Sequence, residues 1–188
     1  MKKRALPIFA ATLFGCSLAH AETYTVDPGH TFPSFELGYL GVSVQRGRFN
    51  KTTGKIDIDR AAKKGKIDIS IDATSVDTGH PARDSKLRGE QFFNTEKFPS
   101  LSFKSDKITF QGDVPASADG QLTLLGVTRP VTLYITSFTC TDDPMSKKPL
   151  CGATASAMIQ RSEFGMKAFV PLVGDETRIL ISVVAYKD

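Results

Sequence analysis

The chain has 188 residues, with 24 Lys and Arg against 20 Asp and Glu, a formal charge of +4, and no Trp. That length suits one domain with a real core, and beyond the N-terminus no apolar run is long enough for a transmembrane helix. Three of the basic residues (Lys2, Lys3 and Arg4) lie in the first segment, so the remainder is nearly neutral, which argues against nucleic acid as a partner.

Residues 1–21 read as an export signal. Lys2, Lys3 and Arg4 form a charged start, Ala5 to Leu18 an apolar stretch, and Ala19-His20-Ala21 offers small residues where signal peptidase needs them. Cleavage after Ala21 leaves 22–188 as one mature domain, periplasmic where the organism has a periplasm. A second reading takes Leu13-Phe14-Gly15-Cys16 as a lipobox that would acylate Cys16; bulky Phe14 counts against it.

From there the dominant period is two. Pro33, Phe35, Leu37 and Tyr39 line one face of an early strand, and Ile67, Ile69 and Ile71 alternate with Lys66, Asp68, Ser70 and Asp72. The 75–103 stretch breaks this pattern with a dense set of His, Arg, Asp and Phe. Pro81 suits the first turn of a helix, Asp84 and Arg88 are an i,i+4 opposite-charge pair, and Gly89 ends or bends it. A short helix over 81–89 is therefore expected to lie across one end of the sheet.

Alternation resumes at Val131, Leu133 and Ile135, and again at Ile179, Ile181 and Val183. Between these runs, Cys140 and Cys151 bracket a polar, turn-rich loop, and a disulfide between them would contribute about 3 kcal/mol. A zinc site would need more ligands than the neighbouring sequence offers. Turns fall at Thr53-Gly54, Ala118-Asp119-Gly120 and Val173-Gly174-Asp175. Eight to ten strands joined this way predict an antiparallel sandwich or closed barrel. An outer-membrane barrel fits poorly: there is no Trp for aromatic girdles, and Lys66, Asp68 and Asp72 would face lipid.

Four segments carry a family resemblance. They are the 75–103 stretch; Gly120-Gln-Leu-Thr-Leu-Leu-Gly-Val-Thr-Arg-Pro-Val-Thr-Leu; Val26-Asp-Pro-Gly-His-Thr followed by Phe35 and Leu40-Gly41; and Arg161-Ser-Glu-Phe-Gly. Together, spread along nearly the whole mature chain in the family's order, they resemble the YceI-like family of secreted bacterial proteins. The resemblance implies an all-β, lipocalin-like antiparallel barrel of about eight strands with one short helix. Its lumen would take a polyisoprenoid or isoprenoid-quinone chain, with no obligatory cofactor. Two positions depart from the family pattern: Tyr39 stands where many members carry a His, and Pro33 where many carry an aliphatic residue.

On this reading Phe35, Leu37, Tyr39, Phe49, Phe92, Leu124, Leu133, Phe164 and Ile181 are the expected ligand contacts. His80, Arg83 and Arg88 are the head-group candidates, with arginine suited to a phosphate or quinone oxygen. Asp77, His80, Arg83, Asp84 and Arg88 also admit a structural reading, as a network tying the helix to the rim. Ser75, Asp77 and His80 supply triad residue types, but no nucleophile-elbow spacing accompanies them. With two histidines left in the mature chain, His30 and His80, no metal site is expected. The expected function is thus a lipid carrier rather than an enzyme. A lipid enzyme working through His80 and a filled-core interaction protein are the alternatives. A transient membrane or respiratory-protein partner and a homodimer complete the expectations.

Overall fold

A computed structural model describes residues 21–188; apart from Ala21, the expected export signal and the Cys16 alternative lie outside them. The described residues form eleven strands in one antiparallel sheet: β1 Glu22–Val26, β2 Ser34–Tyr39, β3 Ser43–Phe49, β4 Thr52–Asp59, β5 Lys64–Asp72, β6 Val76–Asp77, β7 Ser100–Gln111, β8 Val114–Leu124, β9 Val127–Asp142, β10 Pro149–Gln160 and β11 Val173–Lys187. One helix, α1 Pro81–Arg88, interrupts them.

Several strands are bent halves of longer ones. β1 pairs with β4 and β2 with β3, while β11 spans both, with 185–187 against β1 and 173–180 against β2. β5 and β6 likewise face β4 and β3 in turn. Counted by position, the sheet is an eight-stranded up-and-down barrel that closes through the β1–β11 pairing. The lipocalin-like expectation stands, and the larger strand count reflects bends at 27–33, 50–51 and 73–75.

The period of two explains which residues face inward. Ile67, Ile69 and Ile71 point into the barrel, whereas Asp68 lies outside and meets Lys104 at 3.1 Å. One end carries the β4–β5, β7–β8 and β9–β10 connections and is closed by Tyr24, Cys151, Ala185 and Phe138. There Cys140 and Cys151 stand directly opposite one another and are joined. Arg60 packs over this staple, with a guanidinium nitrogen 2.7 Å from Cys140 Sγ and its plane over the Phe138 ring. The other end carries the β2–β3 turn, α1, the β8–β9 turn and the β10–β11 connection. That end is the mouth.

The wall is not uniform. β9 and β10 pair from Pro149↔Asp142 to Ser156↔Tyr134 and then splay, so their mouth-side halves bond only to β8 and β11. An outward groove of about 850 Å³ occupies the gap, bordered by Arg129, Tyr134, Met158 and Arg178. Arg129 reaches across its end to the Glu163 carbonyl at 3.4 Å.

Because the staple joins adjacent strands at the closed end, its loss should loosen the floor without changing the topology. Replacing both Cys140 and Cys151 with Ser is expected to cost about 3 kcal/mol, seen as a lower urea midpoint at an unchanged slope. An unchanged midpoint would mean that the Arg60 and Phe138 packing holds this end by itself.

Candidate functional site: the lumen and its mouth

The barrel interior is not filled by side chains. A chamber of about 600 Å³ opens at the mouth, and a smaller one of about 120 Å³ lies toward the closed end. Pro33, Ile71, Phe103, Leu133 and Ile181 line both and form the neck between them. The lower chamber has no charged residue in its lining. The upper chamber has four, Arg46, Arg83, Lys86 and Arg161, all cationic; Arg46 is paired with Glu36 at 2.6 Å, outside the lining.

Two glycines keep the upper chamber open. Gly47 on β3 faces Phe35 on β2, and a Cβ at Gly47 would overlap the Phe35 ring. Gly120 on β8 gives the Phe103 ring the same freedom. Both rings therefore lie along the wall instead of projecting across the lumen. Phe35, Phe49 and Phe93 then pack with centroids 5.3–6.0 Å apart, at tilted or edge-on angles favourable for aromatic pairs.

Eight of the nine residues expected from the sequence as ligand contacts line the upper chamber: Phe35, Leu37, Tyr39, Phe49, Phe92, Leu124, Leu133 and Ile181. Phe164 does not. It belongs to the 3₁₀ turn Arg161–Phe164 after β10, where strand alternation has ended, and its ring is 1% exposed between the core and the outward groove. Pro33 ends the bend before β2, and its carbonyl accepts the Phe49 N–H at 2.9 Å.

The three head-group candidates separate. Arg83 projects from the first turn of α1 to the mouth, where Nε donates to Thr78 Oγ1 at 2.8 Å and Nη1 donates to Gln45 Oε1. No carboxylate pairs with it among the described residues. Arg88 turns away from the chamber, toward the Thr74 and Val76 carbonyls at 3.4 and 3.3 Å. His80 is exposed, and its ring Nδ1 accepts the Arg83 N–H at 3.2 Å, so it serves as the N-cap of α1.

The expected Asp84–Arg88 pair does not form. Asp84 is buried and accepts the Thr78 N–H at 2.9 Å, fastening α1 to the end of β6. Gly89 does end the helix, in an extended rather than left-handed conformation. Nor do Ser75, Asp77 and His80 converge. The Ser75 hydroxyl donates to the Asp72 carbonyl at 2.6 Å, while Asp77 accepts from Asn50 and from the Gly79 N–H. Hydrogen bonds from Asn50 and Gly79 hold the Asp77 pKa below its ordinary value, as expected of a structural carboxylate.

Sequence reasoning recognised Arg161 as part of a motif without assigning it a role. It is 2% exposed, and its guanidinium donates to four carbonyls: Gly174 at 2.8 Å and Met166, Ala168 and Val173 at 2.9 Å. Met166 and Ala168 lie in the β10–β11 connection and Val173 and Gly174 open β11, so one buried fork shapes that side of the mouth. Burial lowers the Arg161 pKa from its usual value, and the charge of Asp175 opposes the shift. Asp175 in turn accepts the Ser162 N–H at 2.8 Å and hydroxyl at 2.7 Å. Missed entirely were Gln45, Lys86 and Phe169. Phe169 stacks on Phe92 with centroids 6.2 Å apart, and Lys86 Nζ lies 4.5 Å from its ring centre. Phe169 sits in an irregular segment, so no periodicity marks it.

Two outcomes follow from these contacts. Arg161→Lys keeps the charge but cannot supply the planar fork; it is expected to cost about 2 kcal/mol, and Arg161→Ala about 3 kcal/mol or more, because buried carbonyls lose their donors. Equal urea midpoints for Arg161→Lys and the parent would remove the clamp from the account. His80→Ala is expected to cost about 1 kcal/mol of stability, largely restored by His80→Asn, with any lumen ligand retained. Loss of ligand in both His80 variants would place His80 in the site instead of the cap.

Comparison with known proteins agrees with this architecture. The model of the YceI-like domain matches residues 24–185. Protein YceI of Escherichia coli O17:K52:H18 is 35% identical over 187 residues, covering 97% of each chain. A UPF0312 protein of Pseudomonas aeruginosa is 35% identical over 188 residues, again covering 97% of each. Among solved structures, Burkholderia cenocepacia BcnA superposes with a TM-score of 0.73 at 23% identity, over 85% of this chain and 99% of that one. A polyisoprenoid binding domain from Saccharophagus degradans superposes with a TM-score of 0.63 at 15% identity, over 88% and 98%. A meander barrel closed by β11, matched along nearly its whole length by the family model and by relatives 35% identical, places this chain in the YceI-like family.

Proposed function

We propose that the protein is an exported carrier that holds one isoprenoid-type amphiphile, tail in the lumen and head at the mouth, and does no chemistry on it. The observation that carries this reading is the polarity of the cavity. Its walls are apolar down to a floor without charge, and every charged residue in the upper chamber is a cation. About 600 Å³ falls within the roughly 300–1,000 Å³ of small-molecule sites. Each CH₂ moved from water into such a wall gains about 0.8 kcal/mol, so a long chain repays the cost of ordering it. An anionic or electron-rich head, a pyrophosphate or a quinone oxygen, suits Arg83.

The description of the Saccharophagus degradans neighbour as a polyisoprenoid binding domain points to the same ligand class. Export to the periplasm is supported by the basic and apolar N-terminus ending in Ala19-His20-Ala21 and by the Cys140–Cys151 disulfide.

Mass spectrometry of an organic extract from the purified protein should find a near-stoichiometric prenyl chain or quinone. An empty extract, with no uptake of added quinone or prenyl lipid, would sink the carrier reading. Arg83→Ala should weaken a prenyl pyrophosphate by about ten- to a hundredfold, the worth of a charge-assisted hydrogen bond, and the corresponding prenyl alcohol far less. Arg83→Lys should restore part of the difference. Equal losses for both ligands would place the head group elsewhere.

A further inference from the structure

The described residues expose eleven large hydrophobic side chains, and seven of them fall in two short segments at the mouth, 39–44 and 169–172. Val42 is 82% exposed, Leu172 60% and Leu40 50%. The two segments are joined: Leu40 N–H donates to the Leu172 carbonyl at 2.7 Å, and Val173 pairs with Tyr39. Tyr39 and Phe169 belong to both the exposed set and the chamber lining, so the apolar rim is continuous with the apolar lumen. Leu40 and Phe169 both have left-handed backbones, with φ of 53° and 61°, a conformation that bulky side chains disfavour and that here sets them at the tips of their turns.

The charge around this rim is predominantly positive. The segments 38–44 and 165–172 contain no acidic residue and one cation, Lys167. α1 adds Lys86 beside Phe169, and neither lysine is in an ion pair among the described residues. Glu90 is the one exposed carboxylate on the 78–93 segment, against Arg83, Lys86 and Arg88. Apolar turn tips flanked by two lysines without ion-pair partners, Lys86 and Lys167, match the layering of an anionic bilayer, whose hydrocarbon lies beneath a negatively charged surface. A protein partner would be expected to meet a broader face with its polar groups matched.

We propose that this rim is a membrane-docking face, seating the open mouth on an anionic lipid surface so that a ligand passes between bilayer and lumen without crossing water. The transfer step rests on the carrier reading; the docking itself does not.

The test is flotation of the purified protein with vesicles of phosphatidylcholine alone and of phosphatidylcholine mixed with phosphatidylglycerol. Binding to the mixed vesicles is expected, and the Val42→Asp, Leu172→Asp double variant should lose about tenfold or more of it. Lys86→Gln and Lys167→Gln should each lose about fivefold on the mixed vesicles and little on phosphatidylcholine. Lumen loading, followed as uptake of an apolar dye in solution, should survive the double variant. No partitioning by a dye-competent parent protein, or partitioning that ignores the double variant, overturns the docking face. A parent that is dimeric in solution and made monomeric by Val42→Asp, without vesicle binding, would assign the rim to a second copy and equally overturn it. Vesicle binding by a protein whose lumen takes up neither dye nor prenyl lipid would uphold docking and remove the carrier role.

Discussion

The architecture depends on β11, the strand that closes the barrel. Its 15 residues bond to β10 along one edge, and along the other to β1 near the floor and β2 near the mouth. One strand thus serves as the common wall of both chambers. The chain end is fastened too: the Asp188 N–H donates to the Thr23 carbonyl at 3.0 Å, and its carboxylate meets Lys55 at 2.8 Å. Closure pairs the β1 and β11 edges near the floor, which matters for a chain rich in alternating apolar residues, and leaves unpaired edge toward the mouth where β9 and β10 part. It also fixes the start of β11 beside the Arg161 fork, so the connection that borders the mouth is pinned at both ends.

A closed barrel of eight positions could fill its interior with side chains or hold a small ligand. Here the residue sizes decide the matter. Gly47 and Gly120 let Phe35 and Phe103 lie against the wall, and Ala118, Ala155 and Ala157 contribute little volume from β8 and β10. Protein interiors normally pack to crystal-like density, so a lumen this open on a well-bonded scaffold is a feature of the sequence. The larger chamber lies on the mouth side of the bends that split β1 from β2 and β3 from β4, and the disulfide and the Arg60–Phe138 contact lie at the floor beside the smaller one.

Much of this was legible in the residues. Period-two runs at 67–71, 131–135 and 179–183 gave inward faces that the structure retains, and Pro81 and Gly89 bounded α1 closely. The sequence placed Phe35, Leu37 and Tyr39 on one face because alternation is a local property. It misplaced Phe164 because a 3₁₀ turn replaces the strand there, and local pattern does not report that change. Asp84 and Arg88 met other partners because the carbonyls of Thr74 and Val76 and the amide of Thr78, brought close only by the fold, outcompeted an exposed pair worth about 0.2–0.5 kcal/mol. Arg161 was visible as a motif, yet its burial against four carbonyls depends on a connection that has no periodicity.

The polarity gradient constrains how any occupant must lie. A charged head cannot settle in the lower chamber, where no side-chain charge is present to replace water. At the mouth it would meet Arg83, whose side chain contacts the neutral Thr78 and Gln45. Orientation therefore follows from desolvation cost before any specific recognition acts. The polar end of that gradient lies beside the exposed rim of 39–44 and 169–172. Tyr39 and Phe169 belong to wall and rim alike, so apolar surface runs without a break from the lumen to the exposed rim.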